Sequence, residues 1–167
     1  MPIVDFEVTP VVTPVSPPNL SHRGYSSLSR PADIEEADKI AEITVRMTRL
    51  DQLVDSNAID AIKIDVEGAE LDVLRGSVGT ITRNRPIIMY ESGPPANSEK
   101  IAQWQFFRDN NYTLLVPNRL AHIDDGLTRE GYIESHFYPR RTTNYFAVPT
   151  ERQSEYRDRA RRILSVT

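Results

Sequence analysis

The sequence predicts an α/β protein built on a largely parallel sheet, with an antiparallel edge formed by its C-terminal strands. Two observations indicate this class. Short apolar runs alternate along the chain with longer segments whose apolar residues recur at helical spacing. Gly, Pro, Asn or Asp marks most of the changes from one pattern to the other. The resulting order of strand, helix, strand, helix and strand is typical of crossover units, which place parallel strands side by side.

Composition excludes several classes of protein. The chain has 167 residues, of which 39% are hydrophobic and 26% charged, and this suits a packed domain. Its formal net charge of −4 argues against a general nucleic-acid binder. It contains no cysteine and no apolar run long enough to span a membrane. We therefore expect a cytoplasmic protein that binds neither nucleic acid nor membrane.

Four segments are predicted to be the main strands. Residues 60–65 have few polar positions, so this strand is expected to lie inside the sheet. Residues 86–91 form a second buried strand, with proline at the first position, where it is tolerated. Residues 112–116 and 143–148 are the late strands of the antiparallel edge, and the Asp124–Gly126 stretch between them is a turn signal.

The helices are predicted from apolar periodicity and capping residues. Thr48 with Asp51 resembles a capping box for a short helix. A second helix has one apolar stripe, which two glycines are expected to bend or divide. The stripe consists of Leu71, Leu74, Val78 and Ile81, and the glycines are Gly76 and Gly79. Residues 151–167 are predicted to form a charged, solvated helix outside a domain spanning residues 1–150.

A turn rich in carboxylates is the strongest candidate for a functional site. Asp65, Glu67 and Glu70 surround Gly68 where the first buried strand passes into a helix, and Glu91 ends the neighbouring strand. One explanation is structural, since carboxylates cap helix N-termini and glycine permits a sharp turn. However, crowded carboxylates repel unless a cation, a donor or a proton lies among them. The turn therefore also suits a cationic ligand, a metal or a hydroxyl that needs a general base.

The same residues resemble the FkbM family of methyltransferases over roughly residues 20–150. The similarity is most specific around the turn, where long spaced runs agree. The matching segments are Gly24–Leu28, Thr48–Leu53, Lys63–Glu70, Val73–Gly76, Arg85–Ile88 with Glu91, and the closing strand Asn144–Val148.

The resemblance implies a Rossmann-like fold that binds S-adenosylmethionine and methylates an oxygen of a small molecule or sugar. It places Asp65 and Glu67 at the catalytic centre, where either could act as general base, orient the acceptor or hold a metal, and it places Glu91 in the same cleft. It assigns Ser26, Ser27 and Asp65 to cofactor binding. The choice of base stays open between Asp65 and Glu67, and Glu91 is the weaker candidate.

One departure from the family is large. The family opens with a strand and a glycine-rich turn that cradles the cofactor, and no glycine of this chain follows that pattern. The chain is thus expected to be the C-terminal part of such an enzyme, with an N-terminally truncated sheet. We expect weak or absent binding of S-adenosylmethionine by this chain. The unpaired sheet edge is expected to favour self-association.

Two other functions compete with methyl transfer. The first is a non-catalytic remnant that serves as an interaction domain, which the missing glycine turn favours. The second is a metal-dependent hydrolase that uses the carboxylates of the turn. No metal ligands are assigned, because His22, His122 and His136 lack a metal-ligand spacing. His136 precedes a segment that is predicted either to cover an acceptor site or to be an ordinary loop.

Overall fold

A computed structural model describes residues 48–54, 59–66, 68–93, 98–137 and 142–165 in full. Beyond these it describes the backbone of five two-residue strands near the N-terminus. Those strands are β1 (Glu7–Val8), β2 (Val11–Val12), β3 (Ser26–Ser27), β4 (Ala41–Glu42) and β5 (Val45–Arg46). β1 pairs with β5, and β2 pairs with both β3 and β4; all three pairings are antiparallel.

The rest of the described chain alternates helices and strands, as the sequence predicts. In order these are α1 (Leu50–Leu53), β6 (Ala61–Ile64), α2 (Glu70–Arg75), α3 (Val78–Asn84), β7 (Ile87–Glu91), α4 (Ser98–Asp109), β8 (Tyr112–Leu115), α5 (Arg129–Glu134), β9 (Asn144–Pro149) and α6 (Gln153–Leu164). Short 3-10 turns at Pro117–Arg119 and Thr150–Arg152 follow β8 and β9.

Four strands form the main sheet, in the order β6-β7-β9-β8. β6 and β7 are parallel, whereas β9 runs antiparallel to both β7 and β8. The α/β class is confirmed, and antiparallel pairs form one end of the sheet. The expectation of a largely parallel sheet was wrong for the described strands, because β9 runs against both of its neighbours and two of the three pairings are antiparallel. The C-terminal strand itself lies inside the sheet, because the chain returns after α5 and inserts β9 between β7 and β8.

β6 occupies the edge of this sheet, where the sequence had predicted an internal strand. Within the described strands it pairs only with β7. Ala61 and Lys63 are exposed and only Ile64 is buried. The prediction was wrong because low polarity does not by itself show that a strand is covered on both sides.

Helices pack on both faces of the sheet. Neighbouring residues of a strand point to opposite faces, so Ala147 belongs to a large core and Val148 to a small one. The large core holds an aromatic chain in which the Tyr90 ring lies 5.0 Å from Phe107 and 5.6 Å from Tyr145. The small core forms against α6, whose buried Tyr156 also donates a hydrogen bond to the Asp60 carbonyl at 3.2 Å.

The helical segment after the carboxylate turn divides at Gly76 and Ser77, as predicted. The Ser77 hydroxyl lies 2.8 Å from the Val73 carbonyl and 3.0 Å from the Leu74 carbonyl, and so satisfies the end of α2. The predicted apolar stripe assumes one continuous helix. Because Gly76 and Ser77 interrupt it, Val78 is 40% exposed, whereas Ile81 is completely buried.

Asp51 caps a helix that is distant in sequence. Its carboxylate accepts hydrogen bonds from the backbone N–H groups of Gly79 at 2.9 Å and Thr80 at 2.6 Å, at the start of α3. The expected capping box at Thr48 is not formed, since the hydroxyl of Thr48 bonds to the side chain of Gln52 instead. Partial burial raises the pKa of Asp51, but the hydrogen bonds from Gly79 and Thr80 outweigh it, so the pKa is lowered.

Replacing Asp51 by alanine should lower the free energy of unfolding by about 1–2 kcal/mol, because two N–H groups at the start of α3 lose their acceptor. Asp72→Ala is the matched control, since Asp72 is exposed and its carboxylate pairs, among the described residues, only with Arg75. It should cost about 0.5 kcal/mol or less. Chemical denaturation measures both changes, and equal losses would show that Asp51 does not act as a cap.

Candidate active site

The parallel pairing of β6 with β7 brings two of the predicted catalytic carboxylates to one edge of the sheet. Ile64 is opposite Tyr90 in this pairing, so Asp65 and Glu91 are the next residues at the carboxyl ends of the two strands. β9 contributes a third residue, because Asn144 is opposite Glu91 in the antiparallel pairing. Ligands of open α/β sheets bind at this edge.

Lys63 lowers the pKa of Asp65. The Lys63 ammonium lies 2.5 Å from the Asp65 carboxylate, and both side chains are about half exposed. Its hydrogen bond and its positive charge hold the pKa of Asp65 below the ordinary value. Sequence analysis missed this pair, although residues two apart on a strand share one face.

Glu70 points into the protein rather than toward the sheet edge. Its side chain is 5% exposed, and one carboxylate oxygen accepts a hydrogen bond from the Gly68 N–H at 3.2 Å. The other oxygen lies 3.8 Å from the ammonium of Lys100, which is also buried. Gly68 has a φ of +85°, so the sharp turn predicted there is confirmed. Glu70 therefore stabilises the turn through its hydrogen bond to the backbone of Gly68 and its ion pair with Lys100.

Three of the predicted site residues remain predictions. Glu67 lies outside the described residues. Ser26 and Ser27 form β3, which pairs with β2 through the backbone, but their side chains also lie outside the described part of the structure.

A buried hydrogen-bond network lies directly behind Glu91. The Ser92 hydroxyl is 3.0 Å from His136 Nε2 and 3.2 Å from the side-chain oxygen of Gln103. The Tyr132 hydroxyl lies 3.1 Å from the Ser92 hydroxyl and 3.0 Å from the same oxygen of Gln103. None of these four side chains is more than 2% exposed. The network joins the end of β7 to α4 and to the end of α5.

The geometry fixes the protonation of His136. Its Nδ1 is 2.8 Å from the Tyr132 carbonyl, which can only accept, so Nδ1 carries the proton. Nε2 then accepts from the Ser92 hydroxyl. Burial lowers the pKa of His136, the positive charge of Lys100 lowers it further, and the hydrogen bond to Tyr132 opposes both effects. His136 is therefore a satisfied core histidine.

Aromatic contacts surround this network. The His136 ring stacks on Tyr145 at 5.5 Å and meets Tyr132 edge-on at 4.8 Å. The Tyr145 hydroxyl lies 2.6 Å from Ser135. Burial raises the pKa of both Tyr132 and Tyr145, so both remain neutral hydrogen-bonding groups. Sequence reasoning missed the network because its members come from three segments with no shared motif.

The chain belongs to a known family, which defines its class as a methyltransferase. A sequence model described as the methyltransferase FkbM domain matches residues 10–152. That range contains every strand from β2 to β9 and both carboxylates at the sheet edge. The resemblance seen in the sequence is therefore confirmed. α6 lies beyond the matched range. No curated protein and no solved structure matches the chain.

In the described part of the chain, every helix is too short or too polar to span a membrane. No group of three or more His, Asp or Glu side chains there is arranged to hold a metal ion.

Removing one partner of the buried Glu70–Lys100 pair should be costly. Glu70→Met leaves a buried ammonium without this carboxylate and should lower the free energy of unfolding by about 3 kcal/mol. The double variant Glu70→Met with Lys100→Met removes both charges and should recover at least half of that loss. Chemical denaturation of the three proteins measures the coupling. Additive losses would show that the two side chains do not stabilise each other.

The stability of the protein should depend on pH through His136. The folded-state pKa lies below the ordinary value of 6.5, so the unfolded chain binds the proton more readily. The free energy of unfolding should therefore fall as pH is lowered through 6.5 toward the folded-state pKa. His136→Gln, which keeps an acceptor for Ser92, should flatten this dependence above the range where carboxylates titrate.

His122→Gln is the control for this experiment, because His122 is exposed. It should retain the wild-type slope when unfolding is measured at a series of pH values. A wild-type slope in the His136→Gln variant would show that another group causes the dependence.

Proposed function

We propose that the chain is an S-adenosylmethionine-dependent methyltransferase that methylates a hydroxyl oxygen of a small molecule or sugar. The observation that carries this proposal is the pairing of β6 with β7, which brings Asp65 and Glu91 together at the ligand-binding edge of a sheet. Membership of the FkbM domain family supports the reaction class. Three further points are proposed beyond the reaction class: the identity of the cofactor, methylation of an oxygen, and a small molecule or sugar as the acceptor.

The carboxylates suit the two tasks of such a reaction. A hydroxyl that attacks a methyl group must be aligned with it and must lose its proton. Asp65 is ionised at neutral pH and half exposed, so it can accept a hydrogen bond from an incoming hydroxyl. Glu91 lies beside it and is partly buried. Either carboxylate can take the proton while the other orients the acceptor.

The described residues fit the methyl-donating end of the cofactor. S-adenosylmethionine supplies a methyl group activated by a positively charged sulfonium. Asp65 and Glu91 offer negative charge at that point, which favours binding of a cation at a partly exposed edge. The remaining contacts, to the methionine and adenosine parts, are not provided by a glycine-rich turn, since no glycine of the sequence follows that pattern. We expect weaker than submicromolar binding.

Substitution of the two carboxylates tests the proposal. Asp65→Asn and Glu91→Gln keep the size of each side chain but remove its basicity. Substitution of the residue that acts as base should lower kcat/KM about 10²–10⁴-fold, and substitution of the other should lower it less. Transfer of labelled methyl groups to a panel of alcohols and sugars, at millimolar S-adenosylmethionine, measures the effect.

Asp72→Asn is the matched control, because it removes an exposed carboxylate of α2 that pairs with Arg75 and takes no part in the β6–β7 pairing. Its activity should equal that of the wild type. Wild-type activity in both Asp65→Asn and Glu91→Gln would remove these residues from the reaction. Absence of transfer by the wild type to every acceptor would contradict the proposed function itself.

A further inference from the structure

We propose that the outer edge of β6 is a dimerisation surface, on which β6 of a second copy of this chain pairs in antiparallel orientation. The inference goes beyond the proposed reaction and does not depend on it. It is carried by a difference between the two edges of the main sheet, which are β6 at one end and β8 at the other.

The edge at β8 is covered by the chain itself. The Leu127 N–H donates to the Leu114 carbonyl at 2.8 Å, which holds the following loop against the strand. Gly126 allows this close approach, because its φ is +86° and an added Cβ would lie 2.5 Å from the Thr113 side chain. All four residues of β8 are buried. Another strand cannot pair here without displacing that loop.

The edge at β6 is open by comparison. Ala61 and Lys63 are exposed, Ile62 is only partly buried, and within the described strands β6 pairs with β7 alone. The Ile87 N–H donates to the Asp60 carbonyl at 3.0 Å, and the backbone groups of successive residues in a strand point in alternate directions. The N–H and C=O groups of Ala61 and Lys63 therefore point away from β7, where another strand can pair with them.

β6 also lacks the features by which proteins usually protect a sheet edge. Proline, β-bulges and charged side chains, lysine above all, hinder the addition of a strand. Residues 61–64 include no proline, and their pairing with β7 runs without a bulge. The charge of the one lysine, Lys63, is compensated by Asp65 at 2.5 Å. The edge can therefore accept a strand whose shape and charge match it.

β6 of a second copy matches this edge in one register. A two-fold axis through Ile62 places Ala61 of each copy opposite Lys63 of the other, so the outward backbone groups of both residues find partners. The two Ile62 side chains then meet on one face, and the small Ala61 leaves room for the long side chain of Lys63. An axis through Lys63 would instead place two ammonium groups opposite each other, which is unfavourable.

The resulting dimer should be weak and should leave the reaction centres accessible. A pair of four-residue strands buries less surface than the roughly 1,200 Å² at which stable complexes begin. The two copies form one sheet of eight strands, four from each. Because the copies are antiparallel, their Asp65 and Glu91 pairs lie at opposite edges of that sheet. Asp65 follows the residues that pair across the two-fold axis.

Sedimentation of the full chain and amide hydrogen exchange test the proposal without any substrate. The sedimentation coefficient should rise from the monomer value toward the dimer value between about 5 and about 500 μM protein. Over the same range, exchange of the Ala61 and Lys63 amides should slow about threefold, because the second copy bonds to them. The amides of Ile62 and Ile64 are the internal control, since they face β7 and should be protected at both concentrations.

Substitutions at the exposed Ala61 test the register. Ala61→Lys places an ammonium opposite Lys63 of the other copy and should weaken dimerisation about fivefold, whereas Ala61→Glu places a carboxylate there and should strengthen it about fivefold. Ala61→Gln is the matched control for side-chain size and should lie between the two. The inference is overturned if the chain stays monomeric throughout, if the Ala61 and Lys63 amides show no dependence on concentration, or if the Lys and Glu variants dimerise equally well.

Discussion

The hydrogen-bonded pairing of β6 with β7 is the constraint on which the rest of the site depends. In a parallel pair both strands end at the same edge, so a residue that follows one strand lies beside a residue that ends the other. The match of Ile64 with Tyr90 fixes which residues these are, namely Asp65 and Glu91. A slip by one residue would turn each side chain to the opposite face and separate the two carboxylates.

The residues behind this edge explain how it keeps its shape. β7 is followed by Ser92, whose hydroxyl contacts His136, Gln103 and Tyr132 from the helices of one face. A buried polar group without partners is costly, so such a network favours one arrangement of β7, α4 and α5 over others. The buried ion pair of Glu70 and Lys100 likewise joins the turn to α4. The sheet edge that carries Asp65 and Glu91 is thus partly exposed, and buried side chains support it from within.

Local pattern predicted most of the described strands and helices, though not α5, and it did not predict which strands are neighbours. The apolar runs located β7, β8 and β9 to within one or two residues, and Gly126 in the predicted turn has a positive φ. The family resemblance followed from the spaced run around Asp65. The order of strands in the sheet could not be predicted from local pattern, because the exposure of β6 and the insertion of β9 depend on contacts between distant segments.

The same reason explains which site features the sequence did not reveal. Asp51 caps a helix whose N-terminal N–H groups come 28 and 29 residues later. Likewise, Ser92 and His136 are separated by 44 residues. Lys63 differs from these, because it could have been predicted: it comes two residues before Asp65 on a strand, and residues so spaced share one face. The carboxylates could be recognised because they lie close together in the sequence, whereas the residues that support them are far apart.

The most direct test of the account follows the side-chain carboxyl carbons of Asp65 and Glu91 by NMR while S-adenosylmethionine is added to the full chain. The account predicts that both signals move together and saturate, and that the exposed carboxyl of Asp72 does not move. If the carboxyls of Asp65 and Glu91 stay unchanged at saturating cofactor, or move no more than that of Asp72, the two carboxylates do not form the methyl-transfer centre.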